Sequence, residues 1–252
     1  MPANDLRIIA PDAEMKLIIP FRNWVISRSG GALRTHAVST CSIVGQQTIP
    51  ATIDSPQVSG IIGVTFKPAG AYRFFPISLR EVADRTVRAD ELFGREGHEF
   101  HEQIDGASTV GAKVGVVQDF LLRLFLRNRR DEPVVDWMLD MIDRSRGGVE
   151  ISGLSEKAGY TRRQIDRKFA DFVGLSPKTV VNIVRFQGVY SRALGSEGEA
   201  WNREHFDSYY DQSHYIKEFK RFSGHTPGEV KALGNRLGEL FVSPRFVSFL
   251  QY

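Results

Sequence analysis

Cysteine is almost absent from this chain: of its 252 residues only Cys41 carries a thiol. That excludes an internal disulfide and any zinc site built on two or four cysteines. The ordinary use of such a residue is as a small buried hydrophobe in a strand. Long apolar runs are missing too, and no stretch approaches the ~20 residues of a membrane span. The opening MPANDLRIIAPDAEMK has neither the basic start nor the apolar core of a secretory leader. These absences predict a cytoplasmic protein with no membrane partner. Neither sign of charge is in large excess, since the formal net charge is +3 and the pI about 9.0. Such a balance permits a nucleic-acid partner without requiring one, so the placement of the charge matters more than its sum.

What is present is ordinary globular material, 42% hydrophobic and 25% charged, enough for one large domain or two of usual size. Up to about Phe75 the texture is strand-like. LRIIA, MKLIIPF, NWVISR, HAVSTCSIVG and GIIGVTF are short β-branched or aromatic runs between Pro, Gly, Ser and Asp, the pattern of a compact β sandwich or barrel. SLREVADR and DELFGREGHEFHEQI then read as short helices, followed by longer ones in AKVGVVQDFLLRLFLRN and EPVVDWMLDMIDRS. Val114, Val117, Leu121 and Leu124 form a stripe for burial against the chain's own β domain, a short dimer seam being the weaker reading. DRSRGGVEIS breaks the periodicity and reads as a connector. Beyond it the chain is helical to about Leu237, and FVSPRFVSFLQY closes as an apolar tail packing back.

Candidate chemistry is thin. His98 and His101 of HEFHE are three apart rather than the four of a metalloprotease helix, and His36 stands alone. Phe21, Trp24, Phe66, Tyr72, Phe74 and Phe75 could line a ligand pocket, but aromatic residues in strands are more often plain core. No Ser/His/Asp or Cys/His arrangement is visible, so the expectation is no catalytic residue, no metal and no cofactor.

The informative feature is a repeat. FADFVGLSP opens at Phe169 and FKRFSGHTP opens at Phe219, fifty residues later. Upstream of the first copy, ISGLSEKAGYTRRQIDRKF predicts a helix over about Ser152–Ala158, a glycine turn at Gly159, and a second helix capped by Thr161. Thr161 and Gln164 make a capping box, and Tyr160 with Ile165 a hydrophobic staple. This is a helix-turn-helix pattern. On the second helix Ile165, Phe169 and Phe172 share the buried side, while Arg163, Arg167 and Ala170 point out, flanked by Gln164 and Asp166. Upstream of the second copy, Asp211 is the expected N-cap. Tyr215, Phe219 and Phe222 bury there; Ser213, Lys217 and Lys220 point out, flanked by Gln212 and His214. Each nonapeptide is thus the end of a reading helix plus its closing turn at Gly174 or Gly224. SPKTVVNIVRFQGVYSRAL between the two units reads as one long joining helix.

At this point the chain resembles the AraC/XylS family of bacterial transcription regulators over about Val149–Lys231. YYDQSHYIKEFKRFSGHTPGEV carries the likeness, being similar to a signature of Gly-(Tyr/Phe)-x-Asp-x-Ser-His-Phe followed by Phe-Lys and Gly-x-Thr-Pro. The resemblance implies a seven-helix domain that sets two helices in successive major grooves. By that likeness the DNA-contacting positions are Arg162, Arg163, Asp166 and Arg167 in the first unit, and Gln212, Ser213, His214 and Lys217 in the second. His214 falls to a phosphate contact or a structural hydrogen bond. Two positions depart from the pattern: Glu204 stands where the family has a small residue, and Ser208 where it has the turn glycine. The first unit is therefore expected to carry more of the specificity. GVTFKPAGAYRFFPISLREVADR looks like the variable sensor-type domain of one AraC-like subgroup.

The expected fold class is α+β with several domains. Residues 1–130 form a β-rich sensor or dimerisation domain with trailing helices, 131–236 an all-α domain with two helix-turn-helix motifs, and 237–252 the tail. The expected function is sequence-specific transcriptional regulation through double-stranded DNA, with RNA polymerase as protein partner. A small-molecule effector acting on the N-terminal domain is one form; the other is an effector-independent regulator whose N-terminal domain only dimerises or docks a protein. A homodimer and a monomer are both compatible with a two-motif reader, which would sit on the nucleoid when bound.

Overall fold

The structure is a computed structural model that describes residues 7–20, 24–28, 34–38, 40–53, 61–194 and 212–229. Among these, short strands come first and every element after Arg88 is helical. β1 (Arg7–Ile9), β6 (Ala51–Ile53), β3 (Trp24–Arg28) and β4 (Arg34–Val38) lie side by side in that order in one antiparallel sheet. β7 (Ile61–Phe66), β2 (Met15–Pro20), β5 (Ser42–Val44) and β8 (Thr86–Arg88) make a second. β2 is a central strand; Met15, Leu17 and Ile19 on one face are fully buried, and Ile18 on the other nearly so.

The pattern in HAVSTCSIVG is not one strand. The chain bends at Thr40, where the Ser42 hydroxyl donates to the Thr40 carbonyl at 3.0 Å, so β4 and β5 fall in different sheets. β6 and β8, three residues each, are too short to show alternation. α1 (Pro68–Ala71) starts on a proline at its first turn. SLREVADR shrinks to a 3₁₀ turn at Leu79–Glu81, because Leu79 and Val82 point into the core and Asp84 takes a left-handed φ of 54°. The Asp84 carboxylate accepts from the Thr48 amide and hydroxyl, each at 2.6 Å, which holds that bend. DELFGREGHEFHEQI divides into α2 (Ala89–Phe93) and α3 (Arg95–Gly106) at Gly94, whose φ of 57° and ψ of −130° suit glycine.

The remaining helices are α4 (Val110–Arg127), α5 (Pro133–Arg144), α6 (Ile151–Lys157), α7 (Arg162–Phe172), α8 (Pro177–Leu194) and α9 (Gln212–Ser223). Two buried cores organise them. The first joins β2, β5 and β7 to α1, α3 and α4, with Phe100 and Phe120 stacked at 4.1 Å. Val117, Leu121 and Leu124 enter it, so the α4 stripe buries against the chain's own sheet, with Val114 half-buried. Phe66, Tyr72 and Phe75 are buried there as plain core. The second core is built from α5 to α9 around Phe169, Phe186, Phe219 and Phe222. Each fully buried phenylalanine contributes ~1.5–3 kcal/mol relative to exposure. Two of the contacts between the cores stand out. Ala13, in the β1–β2 turn, is wholly buried in the helical core, and Pro11 there accepts a hydrogen bond from Gln187 of α8. Phe172, at the end of α7, packs against both cores.

Candidate nucleic-acid interface

The first unit forms from local rules. α6 buries Ile151 and Leu154, and the buried Ser155 hydroxyl is satisfied by the Ile151 carbonyl at 2.8 Å. Gly159 turns the chain with φ of +74°. The capping box is present in both directions: Thr161 Oγ1 accepts from the Gln164 amide, and Gln164 Oε1 accepts from the Thr161 amide at 2.9 Å. α7 thereby begins at a defined residue, with Ile165 and Phe169 fully buried beneath it and Tyr160 half-buried against the same core. Gln164 is committed to the cap rather than free to flank a reading face.

Of the four predicted contacts on α7, Arg163 and Arg167 are exposed and make no hydrogen bond or ion pair among the described residues. Arg162 and Asp166 instead meet each other, Nε to Oδ1 at 3.0 Å. An exposed pair four residues apart on a helix is worth only ~0.3–0.5 kcal/mol, less than the ~1–3 kcal/mol of a good bidentate arginine–guanine contact.

α9 repeats the division into a buried and an exposed side. Tyr215, Phe219 and Phe222 are buried, while Ser213, Lys217 and Lys220 are exposed. Burial raises the Tyr215 phenol above its ordinary pKa, so it stays protonated. Gln212 and His214 belong to the helix, their side chains lying outside what the structure describes. Glu218, also buried, is an addition that the wheel does not anticipate. Glu204, Ser208, Tyr210, Asp211 and the tail lie outside the described residues, as do the side chains of Phe21, Trp24 and His36. α8 runs as one helix of 18 residues from Pro177, about 27 Å of rigid spacer.

A feature absent from the sequence pattern is how the end of α7 is held. Ser78 Oγ donates to Asp171 Oδ1 at 2.7 Å, and the Leu79–Glu81 turn packs along α7. The Phe172 and Tyr72 rings meet in a T-shaped pair at 5.2 Å, and the Arg130 guanidinium lies over the Phe172 ring at 4.6 Å. Lys168 pairs with Glu132 at 2.6 Å, and the Tyr72 hydroxyl donates to Asp136 at 3.1 Å. Burial, aided by the Asp136 carboxylate, pushes that phenol up to about 12, keeping it a donor at ordinary pH. Gln46 lies fully buried in the same seam, with neither side-chain atom hydrogen-bonded among the described residues.

Chemistry elsewhere is limited. His98 faces Glu102, while His101 lies 3.6 Å from Asp105 and, through Nδ1, 3.7 Å from Cys41 Sγ. The fold therefore does bring a cysteine and a histidine together, sixty residues apart in sequence. Burial pushes the Cys41 thiol up to about 12, which keeps it neutral and a poor nucleophile. No group of three metal-ligating side chains is found among the described residues. No helix of the described residues is long and apolar enough to cross a membrane. An open groove of about 300 Å³ is lined by Arg73, Phe125, Leu126 and residues 128–131.

Residues 3–88 match a family described as a domain of unknown function (DUF6597). No curated protein sequence matches the chain. Among solved structures, the chain is similar to an apo variant of ToxT from Vibrio cholerae strain SCE256, at 11% identity and a TM-score of 0.48, covering 90% of this chain and 93% of that one. It is similar to ToxT from Vibrio cholerae O395 at 8% identity and a TM-score of 0.45, covering 90% and 96%.

Proposed function

We propose that this chain is a sequence-specific DNA-binding transcriptional regulator of the AraC/XylS kind, with double-stranded operator DNA and RNA polymerase as its partners. The observation that carries the reading is α7. A helix started by a tight turn and a capping box presents two exposed arginines, Arg163 and Arg167, unpaired among the described residues and away from its buried face. α9 supports it by presenting Ser213 and Lys217 in the same way. In this reading residues 131–236 bind DNA. Residues 1–130 control that binding, through a small-molecule effector or, in the alternative form, only by dimerising or docking a protein. No catalytic residue is assigned.

Selection of bound fragments from a random DNA pool, followed by sequencing, tests the reading. Enrichment of a site with two sub-sites about one helical turn apart is the expected result. Binding that merely fades with salt and enriches no sequence would overturn it. A concentration-dependent rise in melting temperature in a ligand screen would separate the effector form from the alternative.

A further inference from the structure

We propose that the N-terminal half adds a backbone contact to the DNA interface through Arg80, whose task is to hold a phosphate beside α7. This rests on the reading of α7 as a groove helix. The Leu79–Glu81 turn packs along α7, and Ser78, just before it, bonds to Asp171 on α7 itself. Asp171 lies one turn beyond Arg167, on the flank of the Arg163–Arg167 stripe. Leu79 is fully buried, and its carbonyl stands against Gly174, where an added Cβ would come within 2.9 Å of it. The next residue, Arg80, is exposed and has no hydrogen bond or ion pair among the described residues.

The dimensions favour a shared interface. A helix with its side chains is ~10–12 Å across, and the major groove is ~12 Å wide. A helix in the groove fills it, so its flanks face the two phosphate walls. A turn packed on the flank of α7 therefore sits where a wall passes. Arg80 is the cation on the turn itself, and its charged neighbours are in part engaged. Asp171 is engaged by Ser78 and Asp84 by Thr48, while Arg85 donates to the Glu81 carbonyl at 3.0 Å. The exposed Glu81 carboxylate beside Arg80 opposes the phosphate.

The experiment titrates the full chain on its enriched site and on a copy with the first sub-site scrambled, at several salt concentrations. The proteins are wild type, Arg80→Ala, Arg80→Lys, Glu81→Gln, Ser78→Ala with and without Arg80→Ala, and Arg163→Ala. Arg80→Ala is expected to weaken binding to both DNAs alike, by roughly three- to tenfold, and to lower the salt slope by about one. Arg80→Lys restores most of the loss, and Glu81→Gln tightens binding. The Arg80 effect shrinks when Ser78→Ala loosens the seam. Both Arg80 and Glu81 are exposed, so the melting temperatures of their variants should stay at the wild-type value; a binding loss in Arg80→Ala that comes with a lowered melting temperature would mark a structural role and overturn the phosphate contact. If Arg80→Ala binds like wild type while Arg163→Ala loses the site, this inference fails and the reading of α7 stands. An Arg80 effect confined to one of the two DNAs also overturns the phosphate role. If Arg163→Ala is silent as well, both fall together.

Discussion

At Gly174 and Gly224 the backbone makes the same left-handed turn, with φ of +85° and +77°, yet a methyl group added to each would meet different surroundings. On Gly174 it would come within 2.8 Å of Gln46 Oε1 and 2.9 Å of the Leu79 carbonyl oxygen. On Gly224 its nearest neighbour would be Pro50 Cγ at 3.5 Å, an ordinary contact. Inside the helices the two copies agree, since Phe169 and Phe219 are 0% and 1% exposed. The repeated nonapeptide thus dictates the turn and the buried face, while the rest of the chain decides what lies against the turn. The first copy is clamped between two cores, and among the described residues only Pro50 stands beside the glycine of the second.

The likeness can be strained first at its inside. Phe169→Ala and Phe219→Ala should each destabilise by ~3–5 kcal/mol in urea unfolding; a gap of several kcal/mol between them would break the equivalence. The difference outside should show at the glycines. Gly174→Ala combines left-handed strain of ~1–2 kcal/mol with overpacking of ~1–3 kcal/mol, whereas Gly224→Ala meets no close contact among the described residues and bears the strain. Equal losses would mean that the seam yields without resistance.

Gln46 sharpens the same contrast. A buried amide without a partner costs ~1–3 kcal/mol, so Gln46→Met should raise the unfolding midpoint, by roughly 1 kcal/mol of stability. A fall would show that the amide is satisfied after all. A further effect is expected from pH, at the β1–β2 turn where Ala13 enters the helical core. Burial first, then the Asp12 charge, raises the Glu14 carboxyl from 4.5 to about 7. The unfolded chain gives up that proton near 4.5 and the folded chain holds it to about 7, so this group favours folding most at low pH. Its contribution declines as pH rises from about 4.5 to about 7 and then levels off. Urea midpoints at pH 5 and 7.5 should show the decline, and Glu14→Gln should flatten it.

What could be read from the sequence was set by interactions three or four residues apart. The Thr161–Gln164 box, the Gly159 turn and the faces holding Phe169 and Phe219 all follow from such local spacing, and the structure has each of them. The seam was not legible. Ser78 reaches Asp171 across 93 residues, and Gln46 meets the Gly174 turn from still farther away; no local pattern records either. The Cys41–His101 approach, across sixty residues, has no local signature either. Strand boundaries failed where a bend at Thr40 interrupts continuous β propensity, and where three-residue strands are held mainly by their neighbours.

The most direct test of the central claim is a pair of titrations on the enriched DNA, one with the native first sub-site and one with its key base pair replaced. Wild type should prefer the native site, and Arg163→Ala should lose ~1–3 kcal/mol on it while binding the altered site as wild type does. If Arg163→Ala discriminates between the two DNAs as well as wild type, α7 does not read bases through Arg163 and the account is wrong.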